Sequence, residues 1–153
     1  MEIVSKVEFK AIGLKITCKE EELGVEMPKL WRLFKERVGE VANRRNLSVI
    51  DICLERKDQH YTQFICCEVY NLEKIPEGME GIIIPQQRYV YFEHEGSEMD
   101  IWKSFGAMEK WAIENGYIIH SSEFKMDFSS SEFNGAHKLY LKIDWEKEYE
   151  FNK

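Results

Sequence analysis

The sequence is poor in proline, lacks any long apolar run, carries no paired-cysteine motif and has fewer basic than acidic residues. Three prolines, Pro28, Pro76 and Pro85, in 153 residues rule out a proline-rich or polyproline chain. No run is apolar enough to cross a bilayer as a helix, so no membrane partner is expected. Met1-Glu2-Ile3-Val4 enters a strand-like pattern at once, without the basic and apolar regions of a secretory signal, and a cytoplasmic location is expected. Cys18, Cys53, Cys66 and Cys67 show no C-x-x-C spacing. The vicinal pair Cys66-Cys67 would point to opposite faces of a strand, so the cysteines read as reduced core residues. His60, His94, His120 and His137 form no local ligand pair, so neither a metal nor a cofactor is expected. Twenty-one Lys and Arg against 28 Asp and Glu leave a net charge of −7. Direct nucleic-acid binding draws its affinity from basic side chains on phosphates and is therefore not expected, whereas cationic partners are favoured.

What is present is a globular composition, 44% hydrophobic and 32% charged. A chain of this length fits one domain and buries roughly 70% of its unfolded surface. Residues 3 to 18 read as a strand whose apolar phase changes midway, from Val7, Phe9 and Ala11 to Ile12, Leu14, Ile16 and Cys18. Gly13 sits at the change, where a bulge or bend would move later side chains to the opposite face. Pro28 to about Arg44 reads as a helix, with Leu30, Leu33, Phe34, Val38 and Val41 at helical spacing and Pro28 suited to its first position. Ser48 to Leu54 and Tyr61 to Tyr70 read as a hairpin. Glu68 interrupts the second of these strands, either as a rim carboxylate at a sheet edge or as a ligand contact.

After a linker over Asn71 to Gly81 the order recurs. A strand over Ile82 to His94 meets a helix opened by Ser97-Glu98-Met99-Asp100, which has capping-box spacing, and closed by Asn115-Gly116. A short strand over Ser122 to Phe128, a polar loop and an alternating strand over Lys138 to Trp145 follow, with a charged tail from Glu146. The chain thus reads as α+β, two β-α-β-β repeats related by a pseudo-twofold: about 1–71, a linker at 72–81, and about 82–146. Leu30-Trp31-Arg32-Leu33-Phe34 and Ile101-Trp102-Lys103-Ser104-Phe105 share a Trp-x-x-Phe pattern, which supports duplication. An antiparallel sheet with a cleft between the repeats is a frequent kind of small-molecule site.

The strand Arg88 to Gly96 carries aromatic surface on both phases: Tyr89, Tyr91 and Glu93 on one, Val90, Phe92 and His94 on the other. Both faces therefore meet something, either the protein's own packing or a ligand. Ile75-Pro76-Glu77-Gly78-Met79-Glu80-Gly81, Ile84-Pro85 and the Phe92-Glu93-His94-Glu95-Gly96 ending resemble the signature of GyrI-like small-molecule-binding domains, also called AraC effector-binding or integron-associated effector-binding domains. Trp111, followed by Asn115-Gly116-Tyr117, and the terminal alternating strand extend the resemblance over essentially the whole chain.

The resemblance implies two β-α-β-β repeats that bind hydrophobic, often cationic or aromatic compounds between them, with a carboxylate after the second helix reaching the ligand. Glu123 matches that carboxylate, although Lys125 replaces the expected aromatic two residues on; Asp127, followed by Phe128, is the alternative register. Candidate ligand walls are Trp31, Trp102, Tyr89, Tyr91 and Phe64, with Glu68 as a further acid. Trp102 lies a little off the buried stripe of its helix, which favours it over Trp111. A carboxylate among aromatic rings suits an organic cation, each ring contributing about 0.5 to 2 kcal/mol. The resulting expectation is a free-standing effector-binding protein for a hydrophobic, cationic or aromatic ligand, linked to transcription regulation or drug sensing through a possible protein partner. Two alternatives stand beside it: a hydrolase of reactive electrophiles with Glu123 as general base, and a gyrase-inhibitor-like protein acting by contact.

Overall fold

The computed structural model describes residues 1–119 and 124–144. Eight strands and two helices follow one another as β1 (Glu2–Lys6), β2 (Phe9–Lys19), α1 (Leu23–Arg37), β3 (Val49–Lys57), β4 (His60–Val69), β5 (Glu80–Ile84), β6 (Gln87–His94), α2 (Ile101–Glu114), β7 (Lys125–Ser129) and β8 (His137–Ile143). The expected α+β class with an antiparallel sheet is what forms. All eight strands join one sheet in the order β1-β6-β8-β7-β3-β4-β2-β5, and every pairing is antiparallel.

Two elements differ from the sequence reading. The strand expected over residues 3 to 18 is two strands, broken at Val7-Glu8, and the one expected over Ile82 to His94 is likewise broken at Pro85-Gln86. Pro85 brings no N–H to a sheet ladder, which suits a strand break. Each half is therefore β-β-α-β-β, and its first strand leaves to pair with the other half: β1 with β6, and β5 with β2. The strand order reads the same from both ends, about the β3–β7 pair.

No bulge forms at Gly13, because the pairing of β2 with β4 runs unbroken through Gly13 and Cys66. The phase change instead marks a strand covered on both faces. Phe9 and Ala11 join one core cluster, and Ile12 and Leu14 join another. Glycine is required at the crossing: a Cβ there would lie 2.0 Å from the Ile65 carbonyl oxygen. The helix α1 begins at Leu23, upstream of the expected Pro28, and ends at Arg37. Pro28 lies inside it, where the missing N–H leaves the Gly24 carbonyl without its helical donor. For α2, Ser97 caps a short 3-10 turn by accepting from the Met99 N–H, and Gly116 takes a left-handed φ of 87° after the last turn.

Register assigns the faces, since paired residues point to the same side. Ile12, Leu14, Ile65, Cys67 and Val69 meet α1 through Phe34, Leu30 and Trp31, and Val90, Leu139, Leu141 and Ile143 meet α2 through Phe105, Met108 and Ala112. Both helices lie on this one face. The opposite face carries Phe9, Ala11, Ile50, Ile52, Phe64, Cys66, Ile84, Tyr89, Met126 and Phe128, with Tyr140 packed against them.

That second core is enclosed by curling of the sheet. β1 lies at one end and β2 next to the other, yet two residues, Val7 and Glu8, join them. So short a link spans about 10 Å at most. The two ends of the sheet are drawn together, the second core lies inside the curl, and the helices lie outside.

Candidate functional site

Two concave places among the described residues bring together residues singled out in the sequence. The first is the mouth of the curl, a cavity of about 410 Å³ lined by residues 5–10 together with Arg45, Glu68, Val69 and Tyr70. Lys6 ends β1 opposite Gln87, on the inward face with Val4 and Glu2, and its side chain enters the curl. Its ammonium lies 4.8 Å from the Tyr140 ring centroid, 4.9 Å from that of Phe128 and 5.7 Å from that of Phe9. Strand β2 and the consecutive strands β7 and β8 thus assemble an aromatic cage around a cation. Removal from water lowers the Lys6 pKa, the Glu68 carboxylate opposes that effect, and Lys138 adds to it.

The cage continues into a wall of rings. Tyr140 meets Phe128 at 5.2 Å, Tyr91 at 5.1 Å and Tyr89 at 5.7 Å between centroids. Desolvation raises the phenol of Tyr140 to about 12 and that of Tyr89 further still, so both are neutral at physiological pH. The Tyr89 hydroxyl is buried without a hydrogen-bond partner among the described residues. At the rim Glu68 accepts an ion pair from Arg45 at 2.9 Å, and the Arg45 guanidinium covers the Tyr70 ring at 4.7 Å.

The second place is the groove between α1 and α2, where β3 and β7 meet. Its two adjoining cavities, of about 310 and 440 Å³, share Trp31, Lys35, Glu98, Ser129 and His137. Asp51 and Asp127 are direct register partners on its floor. The Asp51 pKa is raised to about 7, by desolvation first and then by repulsion from Asp127; the indole N–H of Trp31 opposes the shift. Asp127 is also raised by burial, against the pull of His137, whose Nδ1 lies 2.8 Å from its Oδ1. His137 Nε2 lies 3.4 Å from Glu98, so one imidazole joins the sheet floor to the turn that starts α2.

The residues expected to form one site are divided. Phe64, Tyr89, Tyr91 and Glu68 all belong to the inward face of the curl, but Phe64 and Tyr89 are fully buried core residues there. Tyr91 is half-buried beside Tyr140, and Glu68 is a rim residue in an ion pair. Trp31 and Asp127 belong to the groove on the other face. Trp102 departs from expectation: it is 70% exposed on the outer side of α2, with Lys103 over its ring, and does not line the groove. Its place off the stripe puts it on the solvent side of α2. Glu123 lies outside the described residues.

Sequence reasoning missed Lys6, Phe9, Phe128 and Tyr140 as a group, and also Asp51 and His137. The alternation of Tyr140 within its strand put it on a polar phase, and only the curl shows that this phase is enclosed. His94 of the Phe-x-His-x-Gly ending has a structural role. Its Nε2–H donates to the Ser97 carbonyl at 2.8 Å and its Nδ1 accepts from the Ser104 hydroxyl at 2.6 Å, tying β6 to α2. Among the described residues no group of three or more His, Cys, Asp or Glu side chains could hold a metal ion. No helix there is long and apolar enough to cross a membrane.

A curled antiparallel sheet with two outer helices is the architecture of a GyrI-like domain. The family model for integron-associated effector binding proteins matches residues 2–144, and the chain belongs to that family. A curated relative, the transcriptional regulator BrlR of Pseudomonas aeruginosa, is 28% identical over 134 residues; the match covers 87% of this chain and 49% of the regulator, so the chain spans about half the length of that relative. The fold is shared with SAV2435, solved bound to tetraphenylphosphonium, at a TM-score of 0.76 and 12% identity over 94% of this chain and 93% of that one. It is also shared with an integron cassette protein of Vibrio cholerae, at a TM-score of 0.70 and 10% identity over 94% and 95%. A hydrolase from Listeria innocua is similar at a TM-score of 0.57 and 10% identity over 94% and 90%.

Proposed function

We propose that this effector-binding domain takes a hydrophobic organic cation at the mouth of the curl, with Phe9, Phe128 and Tyr140 as the ring surface and Glu68 as an acid of the cavity lining. The observation that carries this reading is the Lys6 ammonium: a cation already rests against three rings there, beside an open cavity large enough for a small aromatic ligand. The family's effector-binding description supports a small-molecule ligand, and the tetraphenylphosphonium held by SAV2435 favours the cationic class.

Isothermal titration with tetraphenylphosphonium, an aromatic monocation, tests the reading. Saturable binding is expected, weakened about tenfold in Tyr140→Leu by loss of one ring. Binding unchanged in Tyr140→Leu and in Phe128→Leu would place the ligand elsewhere.

A regulatory role is proposed only through further protein, since the BrlR match covers half of that regulator. Direct nucleic-acid contact is not part of the proposal. Hydrolysis is the second reading, on the likeness to the Listeria hydrolase and the Asp127–His137 pair at the groove floor. A general base oriented by a carboxylate is the arrangement such chemistry uses. Turnover of an activated aryl ester that disappears in His137→Gln would support it, and no turnover above the buffer rate would remove it.

A further inference from the structure

The outer end of the inter-helix groove is basic, in a chain whose net charge is −7. Its cavity of about 440 Å³ is lined by Lys35 of α1, Arg44 of the loop before β3, and Ser129, Ser130 and Ser131 at and beyond the end of β7. Arg44 and Arg45 are consecutive, and their side chains go to different cavities, one in the groove and one at the mouth of the curl. Arg45 meets the Glu68 carboxylate there at 2.9 Å. Arg44 has no such partner: its Nε–H is buried without a hydrogen-bond acceptor among the described residues. The Lys35 ammonium rests 5.4 Å from the Trp31 ring centroid, and among the described residues it too lacks a carboxylate within ion-pair distance. A buried water would satisfy one N–H, but it would leave both positive charges unmatched. Glu98, the single acid of this lining, is 82% exposed and already engaged by His137 Nε2 at 3.4 Å. Ser130 Oγ accepts from the Glu132 N–H, which leaves its own O–H to donate into the cavity. Apolar surface adjoins these donors, in Trp31, Val38, Val49 and Leu47, the last 55% exposed.

We infer that this end of the groove binds the anionic head of an amphipathic organic acid, a carboxylate or a phosphate monoester, with Arg44 and Lys35 as countercharges and Trp31 and Leu47 against its apolar body. A planar guanidinium presents paired N–H donors that match two oxygens of either head group, and such charge-assisted bonds are about twice as strong as neutral ones. Capture of the Arg44 Nε–H adds to the gain, because a buried donor without an acceptor is itself destabilising. The site is independent of the cation at the mouth of the curl, since neither Arg44 nor Lys35 lines that cavity.

The test is a two-dimensional amide NMR titration of the whole chain with phenyl phosphate and, separately, phenylacetate, with inorganic phosphate as the head group alone. Saturable shifts are expected at the Trp31 indole N–H and at Ser129 to Ser131. Affinity should be about tenfold weaker in Arg44→Gln and in Lys35→Gln. Arg44→Lys, which keeps the charge and loses the fork, should fall between wild type and Arg44→Gln. Lys35 is exposed on α1, so its variant keeps the fold whether or not Arg44→Gln does. Whichever organic anion binds more tightly identifies the head group. Affinity unchanged in both neutral variants, or shifts at Arg45 and Tyr70 with the Trp31 signal left in place, overturns the site. Inorganic phosphate binding as tightly as phenyl phosphate overturns the organic ligand, because the apolar walls would then contribute nothing. No saturable shift with any of the three anions overturns the inference outright.

Discussion

Asp51 shows how one residue can be legible in type yet opaque in role. In sequence it alternates with Ile50, Ile52 and Leu54 and so falls on the other face of their strand. That other face is the floor of the inter-helix groove, where Asp51 lies opposite Asp127. A carboxyl whose pKa is raised from 3.8 to about 7 on folding binds its proton more tightly in the native state. Stability contributed by that proton is complete below about pH 4 and is lost as pH rises toward 7. Asp51→Asn keeps an acceptor for Trp31 and removes the charge. Urea denaturation should show it more stable than wild type at pH 8, by an amount on the order of 2–4 kcal/mol at most, with the difference shrinking toward pH 4. A variant less stable than wild type at pH 8 would contradict the assignment. Tyr89 and Phe64 were recognisable as aromatic positions of interest, but residue type does not separate a ligand wall from a core. Their complete burial does.

Among the elements, β2 is the most instructive. Its phase change was visible in sequence, and a glycine at the change suggested a bulge. The structure answers with continuous pairing and two covered faces, a solution that depends on strands β4 and β5 lying to either side. Neither neighbour can be read from the eleven residues themselves. Because a Cβ at position 13 would overlap the Ile65 carbonyl oxygen, Gly13→Ala must push β2 and β4 apart. A loss of about 3 kcal/mol or more is expected, measured by chemical denaturation, and a near-neutral variant would show that the backbone contact relaxes easily. The helix α2 was legible almost to the residue because its signals are local: a serine cap and a closing Asn-Gly. The start of α1 was not, because Pro28 satisfies the rule for a first helical position and also sits tolerably one turn further in.

At the scale of the whole molecule, the recurrence of strands about a helix was legible, and so was the family. The exchange of first strands was not. Nothing local distinguishes a long strand from two strands that part at Val7-Glu8 to opposite ends of a sheet; that choice belongs to long-range pairing. Yet the exchange is what curls the sheet, and the curl is what brings Lys6, Phe9, Phe128 and Tyr140 together. β1 buries Val4 in the inner core and packs Ile3 against the cluster under α2. Removal of residues 1–6 should therefore cost about 3 kcal/mol or more in urea denaturation, each buried aliphatic side chain being worth roughly 1.5–3 kcal/mol. Unchanged stability would mean that β1 is dispensable and the curl is held by β5 alone.

The central claim, an organic cation at the mouth of the curl, is tested most directly by a two-dimensional amide NMR titration with benzyltrimethylammonium. Saturable shifts are expected at Lys6, Phe9, Val69 and Tyr70, which line the mouth, with the indole N–H of Trp31 in the groove left in place. Saturable shifts centred on Trp31, Ser129 and His137 with the mouth undisturbed would contradict it and move the site to the groove between the helices.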